Sequence, residues 1–245
     1  MKNVIVTGAS FGIGEAISKA LSSEFNVLAC ARRKDLLQTL SSYSGNIIPI
    51  ELDITNKESV KNLTKIISDV NIHALINCAG GGGGPMQTNI LEEEQEFLNN
   101  SFDLNVSSTF NLIKSVYPRM KNEDSPIIVN ITSIAGYQIF RSSSPYTMSK
   151  HSQAIMSKIL RRDLAPHGIR LTELVPGSVN SHRDNSQNGS IMPEDVAEIV
   201  SFIVKSKSPV NINTIYVSHI LDVPFLSWQA AQNTCIIIYR SQTDN

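Results

Sequence analysis

Short runs rich in valine and isoleucine alternate with longer segments of helical periodicity along most of this 245-residue chain. Buried parallel strands are typically short apolar runs, and the helices between them cover both faces of the sheet. The expected strands are 3–7, 26–31, 47–53, 73–79, 126–132, 169–176 and 213–218. The expected helices include 12–24, 56–70, 94–120, 146–166 and 193–205. The alternation predicts an α/β protein with a doubly wound, parallel sheet of about seven strands and helices on both faces.

The expected elements follow one another without a linker, repeat or low-complexity segment that would divide the chain. We therefore expect a single domain over 1–222 and a C-terminal tail over 223–245. The tail contains Trp228 and the run CIIIY, whose apolar surface would be costly to leave in water. Two locations remain open for it: a subunit contact, or a position over the substrate cleft of its own chain.

The charge distribution argues against partners that carry many negative charges. The formal net charge is -1 and lysine and arginine are interspersed, so nucleic acid and anionic membranes are poor candidates. Three separated cysteines favour a reducing compartment, and five scattered histidines lack the spacing of a metal site. The opening MKNVIVTGAS has an apolar run too short for a secretory signal. We expect a soluble cytoplasmic protein without a bound metal.

A glycine-rich turn, TGASFGIG at 7–14, lies directly between the first expected strand and the first expected helix. Glycines at such a junction let backbone amides approach a phosphate, and the helix N-terminus adds partial positive charge. The second strand ends in CARRK, with Ala31 where enzymes that use NAD place an acid. Arg32 and Arg33 follow and can pair with a 2′-phosphate, which favours NADP. The alternative is that both arginines simply begin a solvated helix.

A tyrosine and a lysine lie four positions apart in YTMSK, at Tyr146 and Lys150, and in a helix these positions share a face. Acid–base work by tyrosine at neutral pH needs a pKa of about 7 rather than about 10. An ammonium about 4 Å away supplies roughly that much stabilisation of the phenolate. The pattern alone is weak, because this spacing is common by chance.

Seven short motifs, in order, make the chain resemble the short-chain dehydrogenase/reductase family over nearly its whole length. They are TGASFGIG, LDIT at 52–55, NCAG at 77–80, DLNV at 103–106, NITS at 130–133, YTMSK at 146–150 and PGSVNS at 176–181. The interval of 13 residues from Ser133 to Tyr146 is that of the family. The resemblance implies a Rossmann fold and an oxidoreductase that transfers hydride between NADP(H) and a carbonyl or secondary alcohol.

The resemblance also implies roles for four catalytic side chains. Tyr146 would donate its proton to a carbonyl oxygen that Ser133 holds and orients. Lys150 would lower the pKa of Tyr146 and bind the nicotinamide ribose. Asn105 would bind a water that continues a proton relay from Lys150 to solvent.

Cofactor contacts implied by the resemblance lie at the ends of several strands. They are Gly8, Ser10, Gly12, Ile13 and Gly14 at the pyrophosphate turn, Arg32 and Arg33 at the 2′-phosphate, Asp53 and Ile54 at the adenine, Asn77, Ala79 and Gly80 after the fourth strand, Tyr146 and Lys150 near the ribose, and Pro176, Gly177, Val179 and Ser181 at the nicotinamide. The chain departs from the family pattern at three points. Cys78 replaces the second asparagine of NCAG, Ser181 replaces a threonine, and GGGGG at 80–84 is expected to make the following loop mobile. None of these departures removes a catalytic group.

The segment in which family members build a substrate lid is short and polar here, at 180–191. A small polar or anionic substrate therefore fits better than a fatty chain or a steroid. MPEDVAEIVSFIV and PVNINTIYV resemble the C-terminal part of NADP-dependent 3-hydroxy acid dehydrogenases, which act on serine, allo-threonine and related acids. A 3-oxoacyl carrier-protein reductase or a biosynthetic ketone reductase is an alternative. A non-catalytic sensor that binds NADP(H) is an alternative of another class.

Assembly is also implied by the resemblance. Relatives pair two helices between subunits, and the corresponding segments here are 94–120 and 146–166. We therefore expect a homodimer or a homotetramer.

Overall fold

The protein, described by a computed structural model, is defined over residues 1–82, 90–139, 144–181, 190–207 and 210–220 and over the backbone of 237–238. Strands β1 to β8 span Lys2–Thr7, Phe25–Ala31, Ile47–Glu51, Ile72–Asn77, Ile127–Ile131, Arg170–Pro176, Thr214–Ser218 and Ile237–Ile238. Helices α1 to α7 span Gly12–Leu21, Lys34–Ser41, Lys57–Ile66, Gln95–Phe102, Ser108–Val116, Ser144–Leu164 and Pro193–Lys205. A π-helical turn, Asp103–Ser107, joins α4 to α5.

The strands form one parallel sheet in the order β3-β2-β1-β4-β5-β6-β7-β8. The predicted Rossmann-like fold is thereby confirmed, and each predicted run overlaps one of β1 to β7 with ends that differ by at most two residues. The strand order reverses between β1 and β4. In open parallel sheets a ligand crevice lies beyond the carboxyl ends of the strands at such a point.

Alternate side chains of β1 belong to two hydrophobic layers, because successive residues of a strand point to opposite faces. Val4 and Val6 pack in the layer that contains α1 and α7, and α1 and α7 contact each other. Ile5 packs in the other layer, with residues of α3 and α5. Burying one such side chain stabilises the fold by about 1.5–3 kcal/mol. Helices therefore cover both faces of the sheet, as predicted.

The predicted continuous helix over 94–120 is wrong in one respect, because the π-helical turn interrupts it. Asn105 lies in this turn and is fully buried. Its side-chain nitrogen donates a hydrogen bond to the carbonyl of Ser101, 3.1 Å away. A side chain that bonds to the preceding turn competes with the regular helical ladder, and π-helical turns occur frequently at functional sites.

Two residues of the predicted tail extend the sheet by one short strand. The backbone of Ile237–Ile238 pairs in parallel with Val217 and Ser218 of β7. Residues 221–236 and 239–245 lie outside the described residues, Trp228 among them. The division into a domain over 1–222 and a tail over 223–245 stays a prediction.

Candidate active site

The glycine turn after β1 needs glycine for two separate reasons. Gly8 and Gly12 have φ angles of +67° and +59°, in the left-handed region that other residues rarely adopt. Gly14 has no such angle, but a Cβ there would lie 2.3 Å from the carbonyl oxygen of Gly8. The backbone of the turn is therefore folded tightly against the start of α1, as an anion-binding turn requires.

Thr7 joins the two strands that border the crevice, and the sequence analysis did not single it out. Its hydroxyl accepts hydrogen bonds from the backbone N–H groups of Cys78 and Ala79, at 3.1 and 3.0 Å. The same hydroxyl donates to the carbonyl of Ile76 at 3.3 Å. One side chain therefore fixes the end of β4 against the end of β1. Its place as the first residue of TGASFGIG was the available signal.

A cleft of about 370 Å³ lies beyond the ends of β1 to β4. It brings together twelve residues that the sequence analysis predicted for cofactor binding. These are Gly8, Ser10, Gly12, Ile13, Gly14, Arg32, Arg33, Asp53, Ile54, Ala79, Gly80 and Ser181. Phe11, Cys30, Leu52, Cys78 and Leu104 also line the cleft but were not in the predicted cofactor set.

Arg33 immediately precedes α2 and turns back to the glycine turn. Its Nε and Nη2 atoms donate hydrogen bonds to Ser10 Oγ at 3.2 and 3.0 Å. Its guanidinium carbon lies 5.7 Å from the centre of the Phe11 ring, at the distance of a cation–π contact. Arg32 lines the same end of the cleft, beside Ala31. This end of the cleft therefore carries positive charge and a hydroxyl.

The residues directly after β3 form the opposite wall of this end of the cleft. Asp53 Oδ1 accepts hydrogen bonds from the backbone nitrogen and the hydroxyl of Thr55, at 2.9 and 2.7 Å. The backbone N–H of Asp53 donates to Ser59 Oγ at 3.0 Å. Asp53 is thus held in a fixed turn, with Ile54 beside it on the cleft wall.

Tyr146 lies near the start of α6, and its side chain is hydrogen-bonded to Ser133. Ser133 follows β5 with extended backbone, and its hydroxyl accepts a hydrogen bond from the backbone N–H of Ala135 at 3.1 Å. Burial raises the pKa of Tyr146 above its ordinary value, and the bond with Ser133 lowers it by a smaller amount. In the cofactor-free protein the phenol is therefore protonated at neutral pH.

Lys150 lies one turn after Tyr146 on the same face of α6, as predicted from the spacing. Its Nζ atom is 5.7 Å from the centre of the Tyr146 ring. Burial lowers the pKa of Lys150 to about 8, opposed by the nearby Cys78 and Glu173. The sequence estimate assumed a fully charged ammonium about 4 Å away. In the structure burial instead has the largest effect on the pKa of Tyr146 and raises it.

Asn105 connects the loop after β4 to α6. Its side-chain nitrogen donates to the carbonyl of Gly81 at 3.0 Å and to Ser149 Oγ at 3.0 Å. The backbone N–H of Gly81 donates to Asn105 Oδ1 at 3.2 Å. A Cβ on Gly80 would lie 2.9 Å from Asn105 Oδ1 and 3.4 Å from Lys150 Nζ. Because Gly80 also lines the cleft, the predicted catalytic residues Asn105 and Lys150 adjoin the cleft that gathers the predicted cofactor contacts.

Asn77 was predicted among the cofactor contacts, but its side-chain nitrogen faces the interior. This nitrogen donates to Asn130 Oδ1 at 2.8 Å, and both residues are buried. The contact ties β4 to β5 beneath the site.

The segment after β6 extends from β7 to the glycine turn. The backbone N–H of Gly177, next to Pro176, donates to the carbonyl of Val217 at 2.7 Å. Val179 forms an isolated parallel bridge with Ile191. A Cβ on Gly12 would lie 3.3 Å from Ser181 Oγ, so the Ser181 hydroxyl lies against the glycine turn. Residues 182–189 of the predicted lid at 180–191 lie outside the described residues. Residues 83–89 do as well, and they include the last two glycines of GGGGG at 80–84 and the loop after them that was predicted to be mobile.

A buried carboxylate that the sequence analysis missed supports the segment holding Ser133. Glu173 of β6 is fully buried and accepts hydrogen bonds from Thr132 Oγ1 at 3.0 Å and from the Tyr137 hydroxyl at 2.6 Å. Burial raises the pKa of Glu173, while the bonds from Tyr137 and Thr132 lower it by smaller amounts. Since both donors flank Ser133 in the chain, Glu173 helps to fix the serine in place.

Clustered metal ligands and long apolar helices are both missing from the described residues. No group of three or more histidine, cysteine, aspartate or glutamate side chains there is arranged to hold a metal ion. In that part of the chain, no helix has the length and apolar character needed to cross a membrane.

Comparison with known proteins identifies the class to which this fold and site belong. The family model described as short chain dehydrogenase matches residues 2–190. The chain belongs to the short-chain dehydrogenase family. It is an oxidoreductase, and its site is consistent with hydride transfer that depends on a nicotinamide cofactor.

Individual relatives agree with this assignment. An uncharacterized oxidoreductase of Staphylococcus aureus (strain MW2) is 32% identical over 227 residues, which cover 88% of this chain and 96% of the relative. An uncharacterized oxidoreductase of Mycobacterium tuberculosis is 32% identical over 228 residues, covering 87% of this chain and 89% of the relative. An alcohol dehydrogenase of the archaeon Thermococcus sibiricus, complexed with 5-hydroxy-NADP, superposes with a TM-score of 0.78. It is 23% identical, covers 89% of this chain and 96% of its own, and therefore supports the fold alone.

Proposed function

We propose that the protein is an NADP(H)-dependent oxidoreductase that transfers hydride between the nicotinamide and the carbonyl or secondary alcohol of a small polar substrate. The observation that carries this proposal is the grouping of Asn105, Ser133, Tyr146 and Lys150 beside the cleft that holds the glycine turn. A protein that only bound the nucleotide would have no use for a tyrosine hydrogen-bonded to a serine at that place.

Four side chains would carry the reaction. NADPH, when bound, supplies the hydride. Tyr146 donates its proton to the substrate oxygen, and Ser133, bonded to Tyr146, holds that oxygen in position. Lys150 would bind the ribose hydroxyls, and its positive charge favours the phenolate that forms. Asn105, held by Gly81 and Ser149, would order the water through which the proton is replaced.

The residues present fit the cofactor. The left-handed Gly8 and Gly12 and the close approach of Gly14 to Gly8 form a backbone cradle at the start of α1, which suits a pyrophosphate. Arg33 and Ser10 offer donors for a 2′-phosphate at the end of β2, where Ala31 supplies no acid. A phosphate gains charge-assisted bonds from an arginine, whereas a ribose hydroxyl gains little. We therefore propose a preference for NADP over NAD.

The proposed substrate class rests on the sequence of the lid and of the C-terminal part. The short polar segment 180–191 offers little apolar surface for a fatty chain. The likeness of MPEDVAEIVSFIV and PVNINTIYV to 3-hydroxy acid dehydrogenases favours a 3-hydroxy acid. A 3-oxoacyl carrier-protein substrate or another biosynthetic ketone is the second candidate.

A second copy of this chain is the proposed partner. Phe110 of α5 and Ile155 and Ile159 of α6 are 43%, 55% and 48% exposed and line a common groove. Apolar side chains gathered on one surface are typical of interfaces. We propose that this surface pairs with its equivalent in a homodimer or homotetramer. The proposed location of the protein is the cytoplasm.

Nicotinamide absorbance, followed with NADPH and with NADH against small ketones and hydroxy acids, tests the proposal. The expected result is substrate-dependent oxidation of NADPH that Tyr146→Phe abolishes. Binding of NADPH with no turnover across the panel would favour a sensor. A preference for NADH would contradict the role given to Arg32 and Arg33.

A further inference from the structure

Lys150 has a hydrogen-bond partner that the four proposed catalytic residues do not include. Its Nζ atom donates to Gln153 Oε1 at 2.8 Å. Lys150 is 3% exposed and Gln153 is 1% exposed, so little water competes for this bond. The two residues lie three positions apart on one face of α6.

Buried polar side chains fix the part of α6 that carries Gln153. The carbonyl of Gln153 accepts a hydrogen bond from Ser157 Oγ at 3.0 Å, and Ser157 Oγ accepts one from Asn130 Nδ2 at 2.9 Å. The side-chain oxygen of Asn130 in turn accepts a hydrogen bond from Asn77 Nδ2. Because Asn130 belongs to β5 and Asn77 to β4, the helix is fastened to the sheet at this point.

The bond to Gln153 acts on both the charge and the direction of the lysine. An amide oxygen accepts strongly from an ammonium, so the bond favours the protonated form and opposes the effect of burial. An ammonium has three donors. One of them donates to Gln153, which leaves two for a ligand. These two are available on the side of Gly80, where an added Cβ would lie 3.4 Å from Nζ.

Other titratable groups surround the same ammonium. Tyr146 lies on the same helix, Cys78 follows β4, and Glu173 comes from β6. Burial raises the pKa of the Cys78 thiol to about 12 and raises that of Glu173. Among the described residues, Gln153 is the hydrogen-bond partner of Lys150 Nζ.

We propose that Gln153 is a positioning residue for Lys150, whose amide oxygen keeps the ammonium charged and directs its remaining two donors toward the cofactor cleft. This inference rests on the proposed function for its consequence in catalysis. The hydrogen bond itself and its effect on protonation do not depend on the identity of the substrate.

Two variants test the proposal by the sign of their effects. Gln153→Met keeps a similar volume but removes the acceptor, and Gln153→Glu replaces the acceptor with a carboxylate. The titration of Lys150 is followed in the cofactor-free protein by NMR of 13Cε-labelled lysine, with Lys150→Met to assign the signal. Gln153→Met is expected to lower the titration midpoint by about one pH unit, and Gln153→Glu is expected to raise it.

A second readout connects the bond to function. The pH above which NADPH affinity declines is expected to move down in Gln153→Met and up in Gln153→Glu, because ribose binding needs the charged lysine. Ser157→Ala is the control, since it breaks the polar chain one step away and leaves the bond to Lys150 intact. It is expected to reduce stability without moving either pH dependence.

The outcomes separate the two proposals. A Lys150 titration that is the same in the wild type and in both Gln153 variants overturns the inference, whatever the enzyme does with NADPH. Opposite shifts by NMR support it even where no substrate is turned over, in which case the proposed function fails alone. If Gln153→Met does not fold, Gln153→Glu decides alone: a higher Lys150 titration midpoint supports the inference, and an unchanged or lower one overturns it.

Discussion

The guanidinium of Arg33 donates two hydrogen bonds to a single acceptor, Ser10 Oγ. The contact joins the start of α2 to the glycine turn, so the charge of Arg33 is held at the rim of the proposed cofactor cleft. An exposed arginine would otherwise sample many rotamers, and fixing it in advance reduces the entropy lost when an anion binds.

Removing this charge should weaken the binding of NADPH but not of NADH. Arg33→Ala is expected to raise the Kd for NADPH roughly tenfold or more, because a charge-assisted bond to phosphate is lost. Fluorescence titration with both nucleotides measures the ratio. Arg162→Ala is the control, since Arg162 is exposed on α6 and paired with Asp163. Equal losses for the two nucleotides would contradict the assignment.

Replacing Tyr146 by phenylalanine should remove the proton donor while the cofactor still binds. Turnover is expected to fall by about 10²–10⁴, the usual contribution of a positioned general acid. Steady-state kinetics and NADPH titration together distinguish lost chemistry from lost binding. Tyr43→Phe, at a tyrosine that is 63% exposed, is expected to behave as the wild type. Full activity of Tyr146→Phe would contradict the proposed mechanism.

Gly14→Ala should destabilise the protein although Gly14 lies in a helix. In an open helical position this change stabilises by about 0.5–1 kcal/mol. Here the added Cβ would lie 2.3 Å from the Gly8 carbonyl oxygen, so the backbone must shift and the sign reverses. Urea unfolding measures the free energy, with Gly45→Ala as the control because nothing lies within 4 Å of its Cβ position. A stabilised Gly14→Ala would show that the turn is looser than described.

Burial of Lys150 should make stability depend on pH. Its pKa is about 8 in the folded protein against 10.5 when unfolded, so between these values the unfolded state binds more protons. The free energy of unfolding of the wild type should therefore rise with pH over this window relative to Lys150→Met, by up to about 3 kcal/mol. Urea unfolding at several pH values measures the difference. Lys61→Met, at an exposed lysine of α3, should leave the pH dependence unchanged.

The fold was predictable because the strands are buried on both faces. Residues such as Val4, Ile5 and Val6 give a continuous apolar run whether they face one layer or the other. The interruption of the helix at Asn105 was not predictable in this way. Within this turn Asn105 donates hydrogen bonds to Gly81 and Ser149, which are distant in the sequence and which helical periodicity does not reveal.

Motif order predicted which residues would meet at the site, but not their electrostatics. Tyr146 and Lys150 lie on one face as the spacing requires. The sequence could not show that burial would raise the pKa of one and lower that of the other. Gln153 was equally hidden, because a glutamine three positions after a lysine is an ordinary pattern until both are known to be buried.

The hydroxyl of Thr7 holds the ends of β1 and β4 together, since it accepts hydrogen bonds from the two backbone amides that directly follow β4. We expect those amides to keep this arrangement when a nucleotide binds. We therefore expect its capture at this edge to follow simple second-order kinetics, with a rate proportional to nucleotide concentration and without a slow isomerisation at the strand ends.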